Sequence, residues 1–167
     1  VKNPNGWHGG NIRGVIEQLD YIKDLGVTAI WLTPVFENDN PSQKKDGNVY
    51  ETYHGYSITN FYDVDKHYGN LRDYCELVVE AHRRGLRVIK DVVFNHCSIN
   101  HPWLKNLPQK DWINGIDDIH RQLTNYSVTT IFDKYASASD KVATVNGWFT
   151  DSMPDLNLRN PDVLKYL

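Results

Sequence analysis

The sequence predicts an α/β protein built on a parallel sheet with helical crossovers. Two observations carry that reading. A helix, a glycine and an apolar strand follow one another twice, over residues 11–33 and again over residues 70–94. Both strands are near-continuous bulky or β-branched runs, as strands covered on both faces require, and such units join in parallel through helices. A third observation concerns chemistry: the second strand finishes in Asn95 and His96. In α/β barrels the carboxyl ends of the strands open onto the functional face, so polar side chains there point to chemistry. The competing reading is that Asn95 and His96 only cap the strand and pair with a neighbouring loop.

The first helix is expected over residues 11–25. Ile12, Val15, Ile16, Leu19, Ile22 and Leu25 fall at helical spacing on one side, with Arg13, Glu17, Asp20 and Lys23 facing water. Asn11 suits the N-cap and Gly26 the left-handed residue after the end. A strand over residues 27–33 follows and stops at Pro34, which has no N–H to give a ladder. Residues 36–69 then form a connection far longer than the roughly 2–6 residues usual between such elements. Overlong loops at strand ends are where α/β enzymes place function.

The second helix starts from Asn70, turns Leu71, Tyr74, Cys75, Leu77, Val78 and Ala81 inward, and ends near Gly85. Its strand begins at Leu86 and runs through Val88, Ile89, Val92, Val93 and Phe94. From Cys97 to Asn157 no sustained period appears, although residues 127–132 look like a short strand. Residues 158–167 read as the approach to a third helix, with Asn160 as cap, Pro161 at the first position, and Val163, Leu164 and Leu167 on one side. The sequence stops inside that helix. Two strands and parts of three helices leave sheet edges unprotected, so the chain is expected to be a piece of a larger protein.

Composition excludes several classes. With 40% hydrophobic and 23% charged residues, the chain has the makeup of a globular domain. A formal net charge of -3 gives no reason to expect nucleic acid or an anionic membrane as partner. No apolar run approaches the roughly 20 residues needed to span a bilayer. No signal peptide opens the chain, but Val1 is no start methionine and leaves a removed leader open. Cys75 and Cys97 make no disulfide framework and read as free thiols. Asn125-Tyr126-Ser127 fits a glycosylation sequon, a pattern too common to decide anything. Aromatics reach 12%, many of them in loop-like segments. They either pack beneath long loops or stack on the apolar faces of sugar rings.

A neutral polyhydroxylated ligand offers no charge to grip, so its site must combine ring stacking with several hydrogen bonds. Tyr, His, Asn and Asp near strand ends supply that set. Zinc held by His54, His96, Cys97 and His101 is the competing chemistry, and their spacing lacks the usual paired pattern.

Three segments together resemble the α-amylase family of glycoside hydrolases. Asp91-Val92-Val93-Phe94-Asn95-His96 is similar to that family's first signature at the end of the third barrel strand. Tyr53-His54-Gly55-Tyr56, followed by Asn60 to Asp65, resembles the loop after the second strand. Met153-Pro154-Asp155-Leu156-Asn157 resembles the fifth region, near the end of the inserted domain B. The closest likeness is to the neopullulanase and cyclomaltodextrinase branch, to which the Met-Pro pair points. Family members often carry Asp where this chain has Asn60, so no charge role carries over to that position.

The resemblance implies a partial TIM (β/α)8 barrel: residues 1–96 as its N-terminal part, 97–157 as inserted domain B, and 158–167 returning into the barrel before the fourth strand. It implies an α-glucan substrate, in maltooligosaccharides, cyclodextrins or pullulan, and no nucleic acid or membrane partner. Tyr56 would stack on the sugar on the nonreducing side of the scissile bond, and His54 and His96 would donate to hydroxyls of that sugar. Asp91 would be mainly architectural. No cofactor is implied as required; calcium is an optional ion, with Asn95 at a position that serves as a calcium ligand in many α-amylases. Oxygen donors suit calcium, but one Asn falls far short of six to eight ligands. The nucleophile and acid, about 5–5.5 Å apart in retaining enzymes, are expected beyond this chain, so the piece alone is expected to be inactive. Asp151 and Asp155 do not match the nucleophile. The second reading is a noncatalytic amylase-like domain for binding or assembly. A homodimeric parent and a periplasmic or secreted location are left open.

Overall fold

The computed structural model describes residues 5–127 and 129–167. The chain divides into two compact units, residues 1–93 and 94–167.

In the first unit, the Asn11 side chain accepts from the Gly14 N–H at 2.8 Å and starts α1 (Ile12–Glu17). The single helix expected here is two. The Gln18 N–H closes a tight turn onto the Val15 carbonyl, and α2 (Leu19–Asp24) restarts from Gln18. Gly26, at φ 82, reverses the chain into β1 (Ala29–Leu32). The long connection is not structureless. It holds β2 (Phe36–Asn38), an exposed hairpin of β3 (Gln43–Lys45) and β4 (Asn48–Tyr50), and β5 (Ile58–Val64), which pairs antiparallel with β2. Asp46 and Gly47 both take positive φ at the hairpin tip, as a two-residue turn matched to strand twist requires. Asn70 and Asp73 form a reciprocal capping box at the start of α3 (Leu71–Arg83). β6 (Arg87–Lys90) then pairs in parallel with β1, Ala29 opposite Arg87 through Leu32 opposite Lys90. A parallel pair joined through a helix, with an irregular insertion after β6, is the architecture of a partial (β/α)8 barrel.

The core of this unit joins Ile12, Leu19, Val35, Val64, Leu77, Ala81 and Leu86, with Ile30, Leu32 and Val88 packed against it. The sheet is therefore buried on one face within these residues. Trp31 and its register partner Ile89 lie on the other face and are 71% and 50% exposed, against the expectation of strands covered on both sides. The ladder also ends at Lys90 rather than running to Phe94, because its neighbour β1 stops at Leu32, just before Thr33-Pro34. Leu25, Leu71 and Cys75, expected inward, are exposed at the outer edges of their helices. Arg13 forks onto Asp73 and Glu76, and Arg84 onto Asp20 and Glu80; these are solvent-facing pairs of small energetic weight.

In the second unit, residues 95–99 run antiparallel to residues 152–156. Leu156 N–H donates to the Asn95 carbonyl at 2.9 Å, Cys97 N–H to Pro154 at 3.1 Å and Ile99 N–H to Ser152 at 2.8 Å. The strand expected at residues 127–132 is instead a helical turn, α4 (Thr129–Phe132); Val128 lies outside the described residues. An Asn125 turn that receives the Ser127 N–H, and the Ser127–Thr129 hydroxyl contact, initiate this turn, and no strand pairs there among the described residues. α5 (Ala138–Asn146), capped by the Ser137 hydroxyl, was not expected from the sequence. Asn160 caps α6 (Pro161–Tyr166) as expected, and Val163 is buried, but Leu164 faces solvent. Trp103 packs edge-on against Trp112 and Tyr166, with centroids 4.8 and 4.7 Å away, so these rings serve packing. The Asn125 side chain of the sequon is engaged internally, with Asp140, Thr144 and Ser127. Among the described residues no helix is long and apolar enough to cross a membrane.

Leu77, fully buried, separates core from surface on α3. Leu77→Ala is expected to cost about 2–5 kcal/mol in urea denaturation of the protein. Leu71→Ala, on an exposed position, should stay within roughly 0.5 kcal/mol.

Candidate functional site

The first unit brings together three of the residues singled out from sequence: His54, Tyr56 and Asp91. They ride on the turn at residues 53–56, which passes hard against the chain leaving β1, and on the segment that follows β6. Gly55 stands at φ +84, and a Cβ there would lie 2.2 Å from the Pro34 carbonyl oxygen, so only glycine fits. That close passage delivers His54 and Tyr56 on either side of one pivot.

Two hydrogen bonds then set their chemistry. The Tyr56 N–H donates to His54 Nδ1 at 2.9 Å, so the neutral imidazole carries its proton on Nε2 and presents a donor there. Burial lowers the His54 pKa from its usual value, which keeps the ring neutral. The Tyr56 hydroxyl donates to Asp91 Oδ2 at 3.1 Å, and the carboxylate raises the phenol pKa by bonding its protonated form. The His54 and Tyr56 rings stack, with centroids 5.7 Å apart and planes 26° from parallel, and Tyr53 meets His54 edge-on.

Behind the turn lies a polar frame that sequence reasoning missed. Buried Asn38 accepts the Ser57 N–H at 3.1 Å and donates to the Thr52 carbonyl, gripping both ends of the turn. Buried Asp65 receives the Asn38 N–H at 3.0 Å on one oxygen and the His67 N–H and ring on the other. Trp7 stacks on His67 at 4.0 Å. Asp65 falls within the quoted motif segment but carried no role there; nothing in the spacing of Asn38 announces its contacts across the long connection.

Asn95 and His96 belong to the second unit. His96 is buried, bridges Asp155 across the antiparallel pair, and stacks on Phe149 with centroids 4.8 Å apart at 18°. Its Nδ1 lies 3.2 Å from Asn95 Nδ2. The Asp155 carboxyl, bonded to Asn114 Nδ2 at 2.8 Å, is pushed up to about 6 by burial, against the opposing pull of Asn114 and Arg159.

The same surroundings bear on metal chemistry. Burial pushes the Cys97 thiol up to about 12 and His101 down to about 4, and His101 Nδ1 already caps the Trp103 N–H. A thiol so disposed stays protonated and makes a poor zinc ligand. Among the described residues no group of three or more His, Cys, Asp or Glu side chains could hold a metal ion, and Asn95 by itself supplies one of the roughly six to eight oxygen donors that calcium takes. A cavity of about 450 Å³ beside α1, lined by Ile12, Val15, Ile22, Leu32 and Val35, includes none of the predicted site residues.

One known family matches the sequence from end to end. The model of the alpha amylase catalytic domain matches residues 1–167. The chain belongs to the alpha-amylase family. It is 36% identical over 170 residues to an intracellular maltogenic amylase of Bacillus subtilis, covering 98% of this chain and 24% of that relative. It is similar to the crystal structure of an alpha-amylase from Geobacillus thermoleovorans complexed with acarbose, at 43% identity and TM-score 0.72, covering 100% of this chain and 32% of that one. A cyclomaltodextrinase structure matches at 29% identity and TM-score 0.66, over 99% of this chain and 25% of that one. The chain spans about a quarter of the length of the curated alpha-amylase relatives it matches, 28% and 24% for the first two.

Two outcomes follow from this geometry. Gly55→Ala must move either its own turn or Pro34, and is expected to lower stability by at least ~2 kcal/mol in urea denaturation. Asp155 contributes stability that is fully present below its ordinary value of 3.8 and lost as pH rises to about 6. Asp155→Asn should therefore gain on the order of 2 kcal/mol relative to the unaltered protein between about pH 4 and pH 7. Parallel pH profiles for the two proteins would exclude that assignment.

Proposed function

We propose that the protein carrying this chain hydrolyses, or transfers across, α-1,4 and also α-1,6 glucosidic bonds of maltooligosaccharides, cyclodextrins or pullulan. The observation that supports this most is the fixed tautomer of His54 beside the anchored ring of Tyr56. A glucose unit exposes an apolar ring face and a rim of hydroxyls. Tyr56, tethered at its hydroxyl by Asp91, offers a flat face to the former, and the Nε2–H of His54 offers a donor to the latter. Asp91 acts as the tether. His96, with its ring plane set by Phe149, is proposed as a further donor to a sugar hydroxyl.

The reaction in the whole protein would be a retaining double displacement, with the nucleophile and the acid/base outside these 167 residues. Asp155 does not serve as either, being buried and committed to Asn114. The names of the relatives, a maltogenic amylase and a cyclomaltodextrinase among them, support maltooligosaccharides and cyclodextrins as substrates.

The test is turnover of maltopentaose, β-cyclodextrin, pullulan and starch by the full-length protein. Tyr56→Ala is expected to lower kcat/KM on maltopentaose by roughly 10–100-fold, with Tyr56→Phe retaining most activity because the ring face survives. Binding of these glucans with no turnover of any would favour a noncatalytic amylase-like domain. Normal turnover by Tyr56→Ala would remove that residue from the site.

A further inference from the structure

Tyr126 holds an unusual position in the second unit. Its backbone sits at φ 58, a left-handed conformation that bulky residues rarely adopt and that persists only where surrounding contacts enforce it. Those contacts are identifiable. The Tyr126 hydroxyl donates to the Phe149 carbonyl at 2.6 Å, and its ring meets the Phe149 ring edge-on, with centroids 5.3 Å apart and planes at 89°. On its N-terminal side the Tyr126 N–H donates to the Thr124 hydroxyl, and on its C-terminal side the Asn125 side chain receives the Ser127 N–H.

Phe149 in turn stacks nearly parallel on His96. His96, Phe149 and Tyr126 thus form one continuous row of rings. Its outer member keeps most of its surface open: Tyr126 is 64% exposed despite the left-handed backbone and the Phe149 contacts that hold it there. A ring kept wet by several specific contacts is presented rather than buried. The ligand class that suits an exposed phenol ring continuing such a row is a neutral sugar, taken on its apolar face.

We infer that Tyr126 is a specificity-determining residue, the platform for a second glucose unit of a maltooligosaccharide whose first unit meets His96. The inference rests on the glucan reading of His96 and extends it to chain length. Tyr126 lets the insertion distinguish short from long substrates, since only an oligosaccharide that reaches past His96 gains the stacking contact.

The experiment compares maltose and maltopentaose binding, by calorimetry, and kinetics on the same sugars, in the full-length protein and three variants. Tyr126→Gly removes the ring and relieves the left-handed backbone, and its urea denaturation curve separates a loss of binding from a loss of fold. It is expected to weaken maltopentaose binding and raise KM roughly tenfold, while leaving maltose and kcat nearly unchanged. Tyr126→Ala should behave likewise, and Tyr126→Phe, which keeps the ring but loses the bond to Phe149, should recover most of the affinity. Equal losses for both sugars, or none for either, overturn the inference while leaving the glucan reading intact. Failure of the unaltered protein to bind either sugar overturns both.

Discussion

A buried carboxylate organises the turn at residues 53–56 of the first unit. Burying a charge is costly unless hydrogen bonds replace its water, and Asp65 receives three, from Asn38 N–H, His67 N–H and the His67 ring. Its own N–H reaches the Val35 carbonyl, so β5 is pinned to the segment leaving β1. Asn38, once anchored by Asp65, holds Thr52 and Ser57 at fixed separation. Gly55 then permits the contact with Pro34 that aims His54 and Tyr56. The donor character of His54 is thus a property of the frame and not only of the imidazole.

The second unit reaches order by another route. Its helices are short and its apolar residues scattered, so closure comes from antiparallel bonding of residues 95–99 to 152–156. Aromatic packing of Trp103, Trp112 and Tyr166, together with the buried Trp148, fills the interior. Trp148 also donates its indole N–H to the Asn114 carbonyl at 2.7 Å, joining that interior to the Asn114–Asp155 pair.

The helix and strand order of the first unit was legible because its glycines and caps are local signals: Asn11, Gly26, Asn70 and Gly85 all stand at element ends as read. Sidedness was less legible. The apolar run of β1 and β6 suggested cover on both faces, but run length cannot say how many layers surround a pair of strands, and Trp31 and Ile89 face away from the helices. The β-branched stretch at residues 127–132 misled because strand propensity needs a partner edge, and a Ser–Thr turn took over instead. Residue types and motif order singled out His54, Tyr56 and Asp91, which hydrogen bonds join in the structure. The frame of Asn38 and Asp65 stayed hidden, because a hydrogen bond between residues 27 apart leaves no periodic trace.

The β3–β4 hairpin has a consequence of a practical kind. Its strands are exposed along their whole length and contribute nothing to the core cluster. Its tip, Asp46-Gly47, bends through two left-handed residues, and a side chain added at Gly47 would meet open space. Extra chain spliced there extends a loop already in water, where closure entropy grows only slowly with length. The hairpin is therefore a natural port for a fluorophore, an affinity tag or a whole guest domain.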